Sequence, residues 1–376
     1  MERLSNIFTE LQELSLPLLL GYGLGALAGI TALIFLGVYL VVPTPRAPKA
    51  SEKTYRCVTS AGQISSSQQL PCWIDKYNAE KKEALRLSGD KSTHLTVEPA
   101  SLLVSVVVPA YNEQDRLEIM LTEAVEYLEE EFSDKAKHGN YVNGAAKPFK
   151  SPSSGYEILV ISDGSTDATV DTALRFARKS SCSKIRVVSL VKNRGKGGAV
   201  THGLRHVRGA YALFADADGA SKFSDLGSLV KACQKIEAKD PSGRGVAIGS
   251  RAHLVGSEAV VKRAFLRNLL MHGFHLFLRF LTPAKTAKIR DTQCGFKLFS
   301  RNALSDIVPY MHSEGWIFDV EMLMLAESAG IEVAEVPVGW HEVTGSKLNV
   351  IKDSLAMAWG LTVLRLAWGM GIYSRV

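Results

Sequence analysis

The longest uninterrupted apolar stretch in the chain runs from Leu14 to Val42, "LSLPLLLGYGLGALAGITALIFLGVYLVV", without one charge. A helix of that length crosses the roughly 30 Å hydrocarbon core of a bilayer with some tilt. A cleaved signal peptide would want a basic start and a shorter apolar core. Here the start is acidic, with Glu2, Glu10 and Glu13 against Arg3, and Pro43 and Pro45 follow. The pattern predicts a retained anchor over 14–42. Just beyond it lie Arg46, Lys49, Lys53 and Arg56 against Glu52. Positive flanks stay cytoplasmic, so the large C-terminal part is expected in the cytosol.

Residues 43–98 read as a polar juxtamembrane linker that ends in a charged, helical stretch, "NAEKKEALRLSG". The pattern then changes. "LLVSVVV", Leu102 to Val108, is the continuous β-branched run of a strand buried on both faces. Strands follow at "YEILVIS" (156–162), "KIRVVSL" (184–190), "YALFA" (211–215) and "GVAIGS" (245–250). Helices are expected between them at about 167–179, 196–207 and over "DLGSLVKACQKIEA". Such alternation predicts an α/β domain over 99–350, with a mostly parallel sheet flanked by helices. Small molecules bind such sheets at the carboxyl ends of the strands. The polar insertion 133–155 is expected to be a surface loop. The last stretch, 351–376, holds "LAMAWGLTVLRLAWGMGIY", with one charge, Arg365, and two tryptophans, and is expected to associate with a membrane.

Composition adds little. The net charge of +6 fits an anionic ligand or a membrane surface without establishing either. Five cysteines, widely spaced and without a CxxC pair, exclude a zinc site or disulfide framework of the usual spacing and suit a reducing compartment.

The chemistry-bearing residues cluster at strand ends. "YALFADADGAS" places Asp216 and Asp218 one residue apart, and on extended chain both point to one side. Two carboxylates so close repel unless a positive group sits between them, and a divalent cation satisfies that need. The plainer alternative is a solvated turn. The first strand ends in Pro109, Tyr111 and Glu113, and the second in Asp163, where a base edge or ribose could be read. Asp167 fits better as a helix cap. The third strand leads into "KNRGKGGAV", where glycines 195, 197 and 198 allow close backbone approach and Lys196 or Arg194 could meet phosphate. The spacing excludes both a Walker loop and a dinucleotide fingerprint.

The second half offers Arg251 at a strand end. Arg263 and Arg267 lie four apart on an expected helix with much apolar surface. A guanidinium pair suits a phosphate dianion; an amphipathic helix with solvated arginines is the alternative. Asp319 in "EGWIFDVEML" is a candidate general base or helix cap, Glu321 a weaker one, and Lys347 could reach a diphosphate from its loop. His341 reads as a structural histidine.

In this order, "VVVPAYNE", "VISDGSTDAT", "NRGKGGAV", "FADADGA", "GSR" and "DTQCGFKLF" resemble the family 2 inverting glycosyltransferases of GT-A fold, from about 102 to 350. The resemblance implies a mixed, mostly parallel Rossmann-like sheet. It implies donor binding by Pro109, Tyr111, Glu113, Asp163, Lys196, Asp216 and Lys347. Asp216 and Asp218 would hold Mg²⁺ or Mn²⁺ on UDP. Similar polyprenyl-phosphate transferases imply that Arg251 and Arg263 bind a lipid phosphate, and Arg267, on the same face as Arg263, is expected to join them. The implied reaction takes glucose from UDP-glucose to dolichyl phosphate at the endoplasmic reticulum membrane, for N-glycosylation, with Asp216, Asp218 and Asp319 in the catalytic set. No nucleic acid is implied. The rivals are a dolichyl-phosphate mannosyltransferase using GDP-mannose and a non-catalytic nucleotide-sugar-binding membrane scaffold. The mannosyl members commonly carry a glutamine two residues past the second aspartate; here that position is Ala220, which favours glucose.

Overall fold

The computed structural model describes residues 15–88, 97–133, 152, 154–254, 273, 277–343 and 350–375. The chain runs through α1 (Leu16–Val41), a small hairpin of β1 (Thr54–Tyr55) and β2 (Gln68–Gln69), and α2 (Trp73–Ser88). It then alternates through β3 (Leu102–Ala110), α3 (Leu117–Glu131), β4 (Tyr156–Ser162), α4 (Thr169–Lys179), β5 (Ile185–Ser189) and α5 (Lys196–Leu204). Next come β6 (Gly209–Ala215), α6 (Leu226–Glu237), β7 (Val246–Ser250) and β8 (Phe296–Ser300). The last elements are α7 (Arg301–Ile307), α8 (Phe318–Ser328), β9 (Val333–Pro337) and α9 (Val350–Gly369).

The seven-stranded sheet has the spatial order β5-β4-β3-β6-β8-β7-β9. Strands β5, β4, β3 and β6 are parallel, and β8 is antiparallel to both β6 and β7. The β-branched run of β3 is buried on both faces between β4 and β6, as its pattern requires. Parallel strands share one carboxyl edge, so the segments after β3, β4, β5 and β6 all emerge on one side. Helix α5 packs back over β3 and β4 and carries its first residue, Lys196, toward the end of β6.

Two strands, β8 and β9, were not among those the alternation predicts. Strand β8 carries a lysine, Lys297, at its second position and enters the sheet in the reverse direction. Neither feature belongs to a βα repeat.

Residues 44–88, expected as a linker, are built into the domain. Thr44–Leu361 forms one compact unit. Arg56 and Val187 exchange backbone hydrogen bonds of 2.9 and 2.8 Å along the open edge of β5. The Trp73 indole donates to the Leu204 carbonyl at 2.7 Å. The segment covers an edge strand that would otherwise expose unpaired backbone groups.

Residues 15–43 and 362–375 belong to a second compact unit, in which the Tyr373 hydroxyl donates to the Pro43 carbonyl at 2.6 Å. Helix α1, 26 residues and so about 39 Å long, is long and apolar enough to cross a membrane. Among its described residues only Val38 is buried.

Candidate active site

Asp216 follows β6 directly, and its N–H donates to the Gly295 carbonyl at 3.1 Å, just before β8. A Cβ on Gly295 would lie 2.0 Å from Asp216 Oδ2, so a residue without a side chain is required there. Asp216 Oδ1 sits 2.7 Å from the Lys196 ammonium, off-angle for a well-directed hydrogen bond. Asp218 Oδ1 accepts the Ala220 N–H at 3.0 Å. Burial and then the neighbouring Asp216 charge raise the Asp218 carboxyl above its ordinary value, against the pull of Lys196 and Arg116. The two aspartates therefore share less positive charge than they need. Ala220 itself is buried and brings no donor side chain.

Burial alone would lower the Lys196 ammonium, but Asp216, Asp319 and Asp218 together raise it. It lies 5.4 Å from the Phe214 ring centroid and 5.7 Å from that of the half-exposed Trp316. On the same Phe214 ring, at 5.6 Å, rests a second, fully buried ammonium, Lys297. Lys297 pairs with Asp319 in the first turn of α8 and donates to the Cys294 carbonyl at 2.8 Å. Burial raises the Asp319 carboxyl even so, with Lys297 and Lys196 opposing. Asp319 is thus neither a simple helix cap nor an unpaired base. Glu321, fully buried, accepts the N–H groups of His312 and Ser313 and holds the 312–316 loop.

The glycine loop differs from its expected use. Asp163, 2% exposed, accepts the Arg194 N–H at 2.8 Å and the Gly195 N–H at 2.9 Å. Burial pushes its carboxyl up to about 6 despite those bonds. Gly195 has φ 86°, and a Cβ there would meet the Glu314 carbonyl at 2.5 Å. The close backbone approach that these glycines permit is made by the protein's own 313–315 loop. Arg194 is paired with Glu314 (Nε–Oε1, 2.7 Å). Asp167 accepts the Thr169 N–H at 3.0 Å at the start of α4, as a cap would.

At the end of β3, Pro109 pairs in register with Ile161 and Tyr111 is 41% exposed. Glu113 forms a fork with Arg116, at 2.6 and 2.7 Å. Arg251, at the end of β7, forms a fork with Asp291, at 2.7 and 2.8 Å, and lies 5.7 Å from the Trp340 ring centroid. Burial opposes its charge, but Asp291 holds the Arg251 pKa above its ordinary value. His341 is exposed and donates its N–H to Ala220. Arg263, Arg267 and Lys347 lie outside the described residues, as does most of the 133–155 insertion.

The structure thus gathers Asp216, Asp218, Lys196 and Asp319 into one cluster at the carboxyl edge, with Asp163, Glu113 and Tyr111 on the adjoining strand ends. Sequence reasoning missed Arg116, Asp291, Gly295, Lys297 and Trp316. Three of these stand in "DTQCGFKLF", and a lysine inside a strand was the available signal.

Residues 105–308 match the family described as glycosyl transferase family 2. The chain is 40% identical over 354 residues to the dolichyl-phosphate beta-glucosyltransferase of Saccharomyces cerevisiae, covering 92% of this chain and 93% of that one. It is 44% identical to the Drosophila melanogaster protein of the same name, covering 73% and 77%, and 40% identical to the Homo sapiens one, covering 78% and 85%. Among solved structures, glucosyl-3-phosphoglycerate synthase of M. tuberculosis is similar at a TM-score of 0.44 and 20% identity, over 73% of this chain and 83% of that one.

Proposed function

The chain belongs to the family 2 glycosyltransferases, and we propose that it moves glucose from UDP-glucose onto dolichyl phosphate, with inversion, as a metal-dependent enzyme. The observation that carries this reading is the Asp216–Asp218 pair at the end of β6, with the Lys196 ammonium against Asp216. Two carboxylates fit a divalent ion of the magnesium type, which takes one or two protein carboxylates and fills its remaining positions with substrate phosphates and water. No group of three or more His, Cys, Asp or Glu side chains able to hold a metal occurs among the described residues, in keeping with a site completed by its substrate.

Asp216 and Asp218 would hold Mg²⁺ or Mn²⁺, whose charge would stabilise the departing diphosphate. Lys196 would take up diphosphate charge once its carboxylate partner is otherwise engaged. Tyr111 offers an exposed ring for the uracil beside Pro109 and Glu113, while Asp163 shapes the donor pocket by holding the glycine loop. A phosphate monoester with a second pKa of about 6 is largely a dianion at neutral pH and needs no general base. That agrees with Asp319 being committed to Lys297. Its role in this reading is to fix the lysine cluster behind the sugar. Arg251, oriented by Asp291, would receive the acceptor phosphate with Arg263 and Arg267, and Lys347 would reach the diphosphate. Residues 14–42 would anchor the enzyme in the endoplasmic reticulum membrane, with the domain that begins at Thr44 in the cytosol and the C-terminal segment on the bilayer. The product, dolichyl β-D-glucosyl phosphate, would serve lipid-linked oligosaccharide assembly for N-glycosylation.

The test is transfer of labelled sugar from UDP-glucose and from GDP-mannose to dolichyl phosphate in detergent with Mg²⁺, with and without chelator. Lipid-linked glucose that disappears with chelator is expected. Mannose transfer would overturn the donor, and donor breakdown indifferent to lipid would overturn the acceptor.

A further inference from the structure

The stretch from Arg46 to Glu52 has no part in the reaction as described, yet it grips the loop before Lys196 and the helix after it. Glu52 is fully buried, and its Oε1 accepts the Val191 N–H at 2.9 Å where the chain leaves β5. Its Oε2 accepts the Lys49 N–H and the Arg46 guanidinium, both at 2.8 Å. The Glu52 carbonyl meets His202 Nε2 of α5 at 2.8 Å. The Arg46 carbonyl accepts from Arg194 Nη2 at 3.0 Å. Burial would raise the Glu52 carboxyl, but the bonds from Arg46, Lys49 and Val191 bring it down to about 2. Burial also lowers His202 to about 3, so this histidine is neutral and donates through Nε2.

The loop these groups hold has little apolar anchorage of its own. Val191 is 50% exposed, and Lys192 and Asn193 are exposed as well. Its course depends on polar contacts, to Glu52 and Arg46 on one side and to Asp163 and Glu314 on the other. Without the Glu52 carboxylate the Val191 N–H loses this partner, and the loop is left to its contacts with Asp163 and Glu314.

We infer that Glu52 is a positioning residue of the donor site, fixing the loop from Val191 to Gly195 and through it the Lys196 ammonium against Asp216. The inference rests on the donor reading above, in which Lys196 meets a nucleoside diphosphate. A segment outside the family match, which begins at residue 105, would then set affinity for the sugar donor.

The test is steady-state transfer by the full chain in detergent, with UDP-glucose varied at saturating dolichyl phosphate and then the reverse. Glu52→Ala is expected to raise KM for UDP-glucose on the order of tenfold, the scale typical of supporting contacts, and to leave KM for dolichyl phosphate within about twofold. Glu52→Gln keeps an acceptor oxygen for Val191 and should fall between. Glu157→Gln is the control: a buried glutamate at the opposite, amino-terminal edge of the sheet, whose loss should lower the thermal midpoint and leave the donor KM alone. Should Glu52→Ala not fold, Arg46→Gln carries the test, with a smaller rise of the donor KM expected. An unchanged donor KM in the folded Glu52 or Arg46 variant, beside normal transfer by the unaltered chain, overturns the inference alone. No transfer by the unaltered chain from UDP-glucose or GDP-mannose would remove the functional reading and this inference with it.

Discussion

The two edges of the central sheet handle buried charge in opposite ways. At the amino-terminal edge, Glu157 of β4 is 1% exposed and fully served by the chain. Its oxygens accept from Ser105 Oγ at 2.7 Å, from the Arg208 N–H at 3.0 Å and from Arg208 Nε at 2.9 Å, with Arg186 at 3.1 Å. At the carboxyl edge the Lys196 ammonium pairs with Asp216, and burial and then the Asp216 charge raise the Asp218 carboxyl in spite of Lys196 and Arg116. One edge is a closed account between carboxylate and guanidinium; the other retains a need for cation. Unsatisfied charge in an otherwise well-paired fold is the mark of a site.

The largest effect that sharpens this contrast is expected from Asp218→Asn. Transfer should fall by roughly 10²–10³ or more, the scale on which a lost electrostatic stabiliser acts. The thermal midpoint should rise, because a like-charge pair has been relieved. A melt in which the variant is less stable would show that the pair holds the fold together. Next comes Gly295→Ala. The added methyl would meet the Asp216 carboxylate, and a forced shift of this kind costs about 1–3 kcal/mol. Activity should drop with stability, in contrast to Asp218→Asn. Normal metal-dependent transfer by Gly295→Ala would break the link between β8 and the aspartates.

At the other edge, Glu157→Gln should cost about 1–3 kcal/mol in chemical denaturation, since Arg208 and Arg186 lose their ionised partner. The smallest effect is a pH dependence. The Asp163 carboxyl, pushed up to about 6, accepts two loop N–H groups fully only when ionised. Equilibrium binding of UDP-glucose should therefore strengthen as pH rises through about 6. Asp163→Asn should bind more weakly and lose that limb. Stability runs the other way for this group. Its folded pKa exceeds the unfolded carboxylate value of about 3.9, so its contribution declines between there and about 6 as pH rises.

Legibility in the sequence follows the same division. Strands β3 to β7 could be read because each is a short β-branched or apolar run bounded by turn residues, and Asp216 and Asp218 because two acids at a strand end break such a run. Strand β8 was missed because Lys297 interrupts its apolar pattern and its direction is reversed. The partners that define the site's electrostatics are far apart in sequence: Lys297 and Asp319 by 22 residues, Arg251 and Asp291 by 40. Glu52 and Val191 are separated by 139. No periodicity records a pairing over such distances. For the same reason residues 44–88 looked like a linker, since their two-residue strands and single buried glutamate leave no repeating signal.

The late arrival of β8 bears on how the protein is made. The amino-terminal strands of the sheet, β3 to β6, are synthesised first and can pair among themselves. The aspartates after β6 gain their backing only when Phe296 comes to lie opposite Ala215. A nascent chain emerges from the ribosome in order, and its early part folds first. The half-made protein therefore holds strands β3 to β6 without the strand that backs Asp216. Chains cut short before residue 296 should be inert, however well their first half folds.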